Sequence, residues 1–129
     1  MIVADTNLLA YLFLPSPATP AAESLFLSDP EWVAPRLWRS EFRNVLVLYL
    51  RRGLLDSEQA FAIQEEAERL LRGREFEVAS REVLELAMNG HRSAYDCEFV
   101  ALARALGVRL VTADRRLAEA FPNLVDRFY

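Results

Sequence analysis

Short apolar runs alternate with longer helix-forming segments along this chain, and no two-residue hairpin signal connects any pair of them. Met1–Ala4 reads as a strand buried on both faces, because its apolar residues are not interleaved with polar ones. Glu31–Ala34, Glu75–Ala79 and Val108–Thr112 read as further strands, with Leu124–Asp126 as a last edge strand. Helices are expected over Asn7–Phe13, Thr19–Ser28, Leu37–Arg52, Asp56–Arg72, Ser80–Met88, Ser93–Leu106 and Asp114–Phe121. Their punctuation is local. Pro15 and Pro17 end the first, Thr19 with Pro20 reads as an N-cap plus first-turn proline, and Gly53, Gly73 and Gly107 close three later ones. Strands separated by helices are joined by right-handed crossovers, so the expectation is an α/β domain built on a parallel sheet.

A chain of 129 residues fits one domain, here 1–129, and 53% hydrophobic residues suffice for a substantial core. Composition otherwise acts by exclusion. Cys97 is the single cysteine, which rules out an internal disulfide framework and fits a reducing compartment. His91 is the single histidine, so neither a histidine acid–base pair nor a multi-histidine zinc site is available. All 15 basic residues are arginine. Without lysine the chain is neither a P-loop NTPase nor a Schiff-base enzyme. No basic stretch precedes the first strand, and the longest apolar run, Leu8–Leu14, has 7 residues where a membrane span needs ~20. The expectation is a soluble cytoplasmic protein with no membrane association.

Ligands of parallel α/β sheets bind beyond the carboxyl ends of the strands. Asp5 ends "MIVAD" and Asp114 ends "RLVTAD", so both fall at that edge; each could equally cap the helix that follows. Asp96 stands three residues after Ser93 and could belong to a capping box. Glu41 fits a structural role least well. On a helix it shares a face with Leu37, Trp38, Val45 and Leu48, so it interrupts an apolar stripe, with Asn44 on the same side. A structural role for Glu41 would require an ion pair, with Arg36 or Arg39. If all four acids converge, they repel one another by ~4 kcal/mol per pair at ~4 Å and an effective dielectric of 20. Carboxylates without histidine or cysteine suit Mg2+ or Mn2+ as the counter-charge.

Three segments in order, "MIVADTNLLAYL", "RSEFRNVL" and "SAYDCEFVALARALGVRLVTADRRL", resemble the PIN domain over nearly the whole chain. The likeness is to the small single-domain VapC-type toxins of toxin–antitoxin pairs. It implies a three-layer α/β/α sandwich with a short, central, mainly parallel sheet, and a Mg2+- or Mn2+-dependent endoribonuclease. The matching positions are Asp5, Glu41, Asp96 and Asp114 as catalytic metal ligands, with Asn7 and Thr112 orienting ligands or waters behind them. Cys97 stands where the family commonly has alanine after the third acid, a small-for-small change. The resemblance also implies RNA as substrate, cleavage to 5′-phosphate and 3′-hydroxyl ends, a small antitoxin protein as partner, and a homodimer.

A net charge of −4 is unusual for a protein that handles a polyanion. Metal ions would invert the field in the pocket, and Arg92, Arg115 and Arg116 could line its rim as phosphate ligands, or simply face solvent. Val45–Leu50 is apolar at six consecutive positions, so that helix is either buried all round or covered by a partner. Phosphoacceptor domains and haloacid-dehalogenase-like phosphatases also place aspartates at strand ends, but they normally use a lysine. A non-catalytic binding module of the same fold would also fit these residues, as would a metal-dependent nuclease acting on DNA.

Overall fold

The computed structural model describes residues 1–128. Five strands form one sheet in the order β3-β2-β1-β4-β5. They are β1 (Ile2–Ala4), β2 (Trp32–Pro35), β3 (Glu75–Phe76), β4 (Arg109–Thr112) and β5 (Val125–Arg127). Every pairing is parallel: Val3 lies opposite Val33 on one side and Leu110 on the other. The central strand is wholly buried, which is why Met1–Ala4 shows no polar alternation.

Seven helices connect the strands: α1 (Thr6–Phe13), α2 (Thr19–Ser28), α3 (Trp38–Arg51), α4 (Ser57–Leu70), α5 (Ser80–Gly90), α6 (Ala94–Leu106) and α7 (Arg115–Ala120). The chain steps outward from β1 to β2 and β3, then returns across β1 to β4 and β5. Right-handed crossovers therefore put α1–α4 on one face of the sheet and α5–α7 on the other, the expected three layers. The packing agrees, since α1 touches α2, α3 and α4, while α6 lies between α5 and strands β1, β2 and β4. Cys97, Phe99, Val100, Ala101, Leu102 and Ala103 of α6 are buried, the mark of a helix covered on nearly all sides. Among the described residues, no helix is long and apolar enough to cross a membrane.

The capping expectations divide. Asp56 and Gln59 form the full reciprocal box at the start of α4, and Gly53, Gly73 and Gly107 follow their helices in the left-handed region. Thr19 is not an N-cap. Ala18 takes that position, and the Thr19 hydroxyl donates to the carbonyls of Tyr11, at 2.7 Å, and Leu14, at 3.1 Å, so it closes α1 rather than opening α2. β3 is two residues long, although the alternation predicts a strand over Glu75–Ala79. Its neighbour β2 ends at Pro35 and the chain turns into α3 at Trp38, leaving no strand opposite 77–79. At this edge Arg39 grips Glu75 with two hydrogen bonds, at 2.6 and 2.7 Å, while Trp38 Nε1 donates to the same carboxylate at 2.8 Å.

Candidate active site

β1 and β4 are neighbours in a parallel sheet, so the residues that follow them emerge side by side. Asp5 follows β1 and is the N-cap of α1, where one carboxylate oxygen accepts the Thr6 N–H at 2.8 Å. Its other oxygen accepts the hydroxyl of Thr112, the last residue of β4, in a short hydrogen bond. Thr112 is fully buried, and its hydroxyl oxygen also accepts the Asp114 N–H at 3.0 Å. One threonine thus sets the positions of two acids from different segments. Asp114 caps α7, with Oδ1 accepting from the N–H groups of Arg116 and Leu117 at 2.9 and 3.1 Å, which leaves Oδ2 for the cleft. Capping and a place in the site are compatible for both aspartates, because a carboxylate has two oxygens.

Glu41 enters from α3. Its Oε1 accepts the hydroxyl of buried Thr6 at 2.7 Å. Neither arginine considered as its partner pairs with it, since Arg39 is committed to Glu75 and Glu68 and Arg36 is exposed. Asp96 enters from the first turn of α6. Its backbone N–H bonds Ser93 Oγ at 3.0 Å, but its carboxylate faces Arg92 instead of reaching back to complete a capping box. These four acids, with Thr6, Asn7, Asn44 and Val45, line one cleft of about 250 Å3 at the carboxyl edge of the sheet. Cys97 lies buried directly after Asp96.

The cleft's electrostatics are those of crowded acids. Burial pushes the Asp5 carboxyl above the ordinary aspartate range; hydrogen bonds from Thr112 and Thr6 pull it back, and the charges of Asp96 and Asp114 push it up further. Burial likewise raises Glu41, against the Thr6 hydroxyl and with the charges of Asp5, Asp96 and Glu98. One guanidinium answers this excess. Arg92 Nη2 stands 3.5 Å from Oδ2 of both Asp96 and Asp114. Arg115 pairs with Glu119 along α7, and the Arg116 side chain is exposed.

Among the described residues, no three histidine, cysteine, aspartate or glutamate side chains are drawn close enough to enclose a metal ion. The donor chemistry nonetheless fits a hard divalent cation: carboxylate, amide and hydroxyl oxygens line the cleft, with no thiolate or imidazole among the lining residues.

The family model described as "PIN domain" matches residues 2–121. The chain belongs to the PIN domain family. Ribonuclease VapC3 of Pyrobaculum aerophilum is 32% identical over 96% of this chain and 97% of that protein. Solved structures share the fold, PAE2754 and FitAcB among them. PAE2754 from Pyrobaculum aerophilum has a TM-score of 0.77 at 21% identity, covering 97% of this chain and 82% of that one. FitAcB from Neisseria gonorrhoeae has a TM-score of 0.76 at 18% identity, covering 100% and 97%. In this PIN domain three lining residues, Thr6, Asn44 and apolar Val45, are not singled out as site residues by sequence reasoning. Thr6 lies inside "ADTN", and the one signal it carries is that a hydroxyl, once buried, needs an acceptor. Asn44 is marked only by lying on the Glu41 side of its helix.

Proposed function

We propose that this PIN domain is a metal-dependent endoribonuclease, the toxin component of a toxin–antitoxin pair. The observation that carries the reading is the cleft itself: four acids from four separate segments open into one pocket beyond the carboxyl ends of β1 and β4. A relative named as a ribonuclease, aligned over nearly the full length of both chains, supports RNA as the substrate. Asp5, Asp96 and Asp114, with Glu41 directly or through water, would hold Mg2+ or Mn2+, and Asn7 would orient a bound water. When bound, such a cation lowers the pKa of water and neutralises charge on the phosphate. The chain's own contribution is placement. Thr112 fixes Asp5 against Asp114, Thr6 fixes Glu41, and Arg115 and Arg116 at the start of α7 can receive the RNA backbone.

The other half of the pair would be a small antitoxin, and a second copy of the chain would complete a homodimer. An apolar cleft of about 680 Å3, lined by Leu14, Pro15, Tyr49, Leu54, Leu55 and Ile63 among others, supports a protein partner at the far end of α3. A cytoplasmic location follows from that role.

The test is cleavage of matched RNA and DNA oligonucleotides with Mg2+, with Mn2+ and with a chelator. Metal-dependent cutting of the RNA, lost in Asp5→Ala and Glu41→Ala variants that remain folded, is the expected result. Cutting that persists in either variant, or that ignores the chelator, overturns the reading.

A further inference from the structure

Arg92 is the one basic side chain paired with any of the four acids among the described residues, and it touches two of them. Its engagement is loose. Both contacts come from a single nitrogen, Nη2, at 3.5 Å, the outer limit of a hydrogen bond, and the buried Nε has no partner. The same chain shows what a permanent pair looks like: Arg39 meets Glu75 with two parallel bonds at 2.6 and 2.7 Å and a third bond to Glu68.

The loose guanidinium is nevertheless held at the site by its backbone. Arg92 follows His91, which ends α5 in the left-handed region at φ 53°, uncommon for a residue other than glycine. Before His91, Gly90 lies against the ring of Phe121, so closely that a Cβ there would stand 2.3 Å from the ring. Phe121 is the C-cap of α7 and Asp114 is its N-cap. The α5–α6 turn is therefore tied to both ends of α7, by packing at one and by Arg92 at the other.

We propose that Arg92 is a displaceable internal counter-cation, which neutralises Asp96 and Asp114 in the metal-free protein and competes with a divalent ion for them. This rests on the metal-site reading above and adds a regulator to it: the turn between α5 and α6 raises the metal concentration at which the cleft fills. Arg92 is thus a positioning residue, acting through the two aspartates.

The experiment is calorimetric titration of Mn2+ into the wild-type protein and into Arg92→Gln and Arg92→Met variants, without RNA, alongside thermal unfolding with and without Mn2+. The proposal expects both variants to bind Mn2+ at least ~5-fold more tightly than wild type. It expects them to melt lower than wild type without metal and to gain more on adding it. Unchanged or weaker Mn2+ binding in the variants overturns the counter-cation role and leaves the metal site standing. No Mn2+ binding by any of the three proteins overturns both. Arg92→Gln and Arg92→Met differ in polarity but equally lack the charge, so a gain in only one of them points to packing and also overturns the proposal.

Discussion

The most informative single residue in the cleft is Thr112, because its hydroxyl is committed twice, donating to Asp5 and accepting from the Asp114 N–H. Thr112→Val keeps the shape and removes both bonds, leaving polar groups unsatisfied at ~1–3 kcal/mol. Urea denaturation should show that loss, and RNA cleavage should fall ~10-fold or more, while Thr112→Ser retains most of both. Asp114 allows a cleaner separation of roles. Asparagine caps helices as well as aspartate does, so Asp114→Asn should melt within a few degrees of wild type. Its cleavage rate should nonetheless drop by ~100-fold, since the charge is gone. A rate close to wild type would reduce Asp114 to a cap. From sequence, cap and ligand are rival roles at this position. The structure shows why neither excludes the other: one oxygen serves α7 while the second faces the cleft.

At the scale of elements, the sheet edge and the α5–α6 turn carry the sharpest expectations. Glu75 joins β3 to α3 through Arg39 and Trp38, and these hydrogen bonds, Arg39 first, hold its carboxyl below the ordinary value of 4.5. A depressed carboxyl stabilises the folded state above its unfolded pKa and loses that contribution as pH falls through the folded one. Glu75→Gln should therefore cost ~1–3 kcal/mol at pH 7, leaving the partly buried Arg39 short of its partner. The gap from wild type, followed by thermal melts, should close progressively below pH 4.5. Gly90→Ala tests the turn by overpacking. Because the new Cβ meets the Phe121 ring at 2.3 Å, the variant should lose ~1–3 kcal/mol, and Gly90→Ala with Phe121→Leu should recover part of it. None of this is visible at sequence level. Glu75–Ala79 alternates like a strand, but only a short partner strand reveals where pairing stops, and Gly90 looks like any helix-ending glycine until Phe121 is seen beside it.

For the whole molecule, a net charge of −4 with the acids gathered in one cleft means that the folded chain gains from any cation that settles there. Addition of Mn2+ should raise the melting temperature in proportion to the logarithm of its concentration, and a chelator should reverse the gain. The quadruple variant lacking Asp5, Glu41, Asp96 and Asp114 should show no such shift. A shift that survives in it would place the ion elsewhere. The parallel α/β plan, the stretches that form helices and strands apart from the extent of β3, and the candidacy of those four acids were legible from the chain alone. They rest on short-range physics: apolar periodicity, capping chemistry, and the rule that parallel strands present their carboxyl ends together. Which distant partner Asp5, Glu41 and Asp114 each hold was decided only in three dimensions. Thr6 takes Glu41 across 35 positions, and Thr112 takes Asp5 across 107. Arg92 holds an aspartate four residues away and another 22 away, a choice among 15 arginines that depends on how the α5–α6 turn is packed against α7. Pairings across tens of residues are set by how the elements stack, and nothing local in the chain encodes them; Arg92 with Asp96, at i,i+4 spacing, is the local exception.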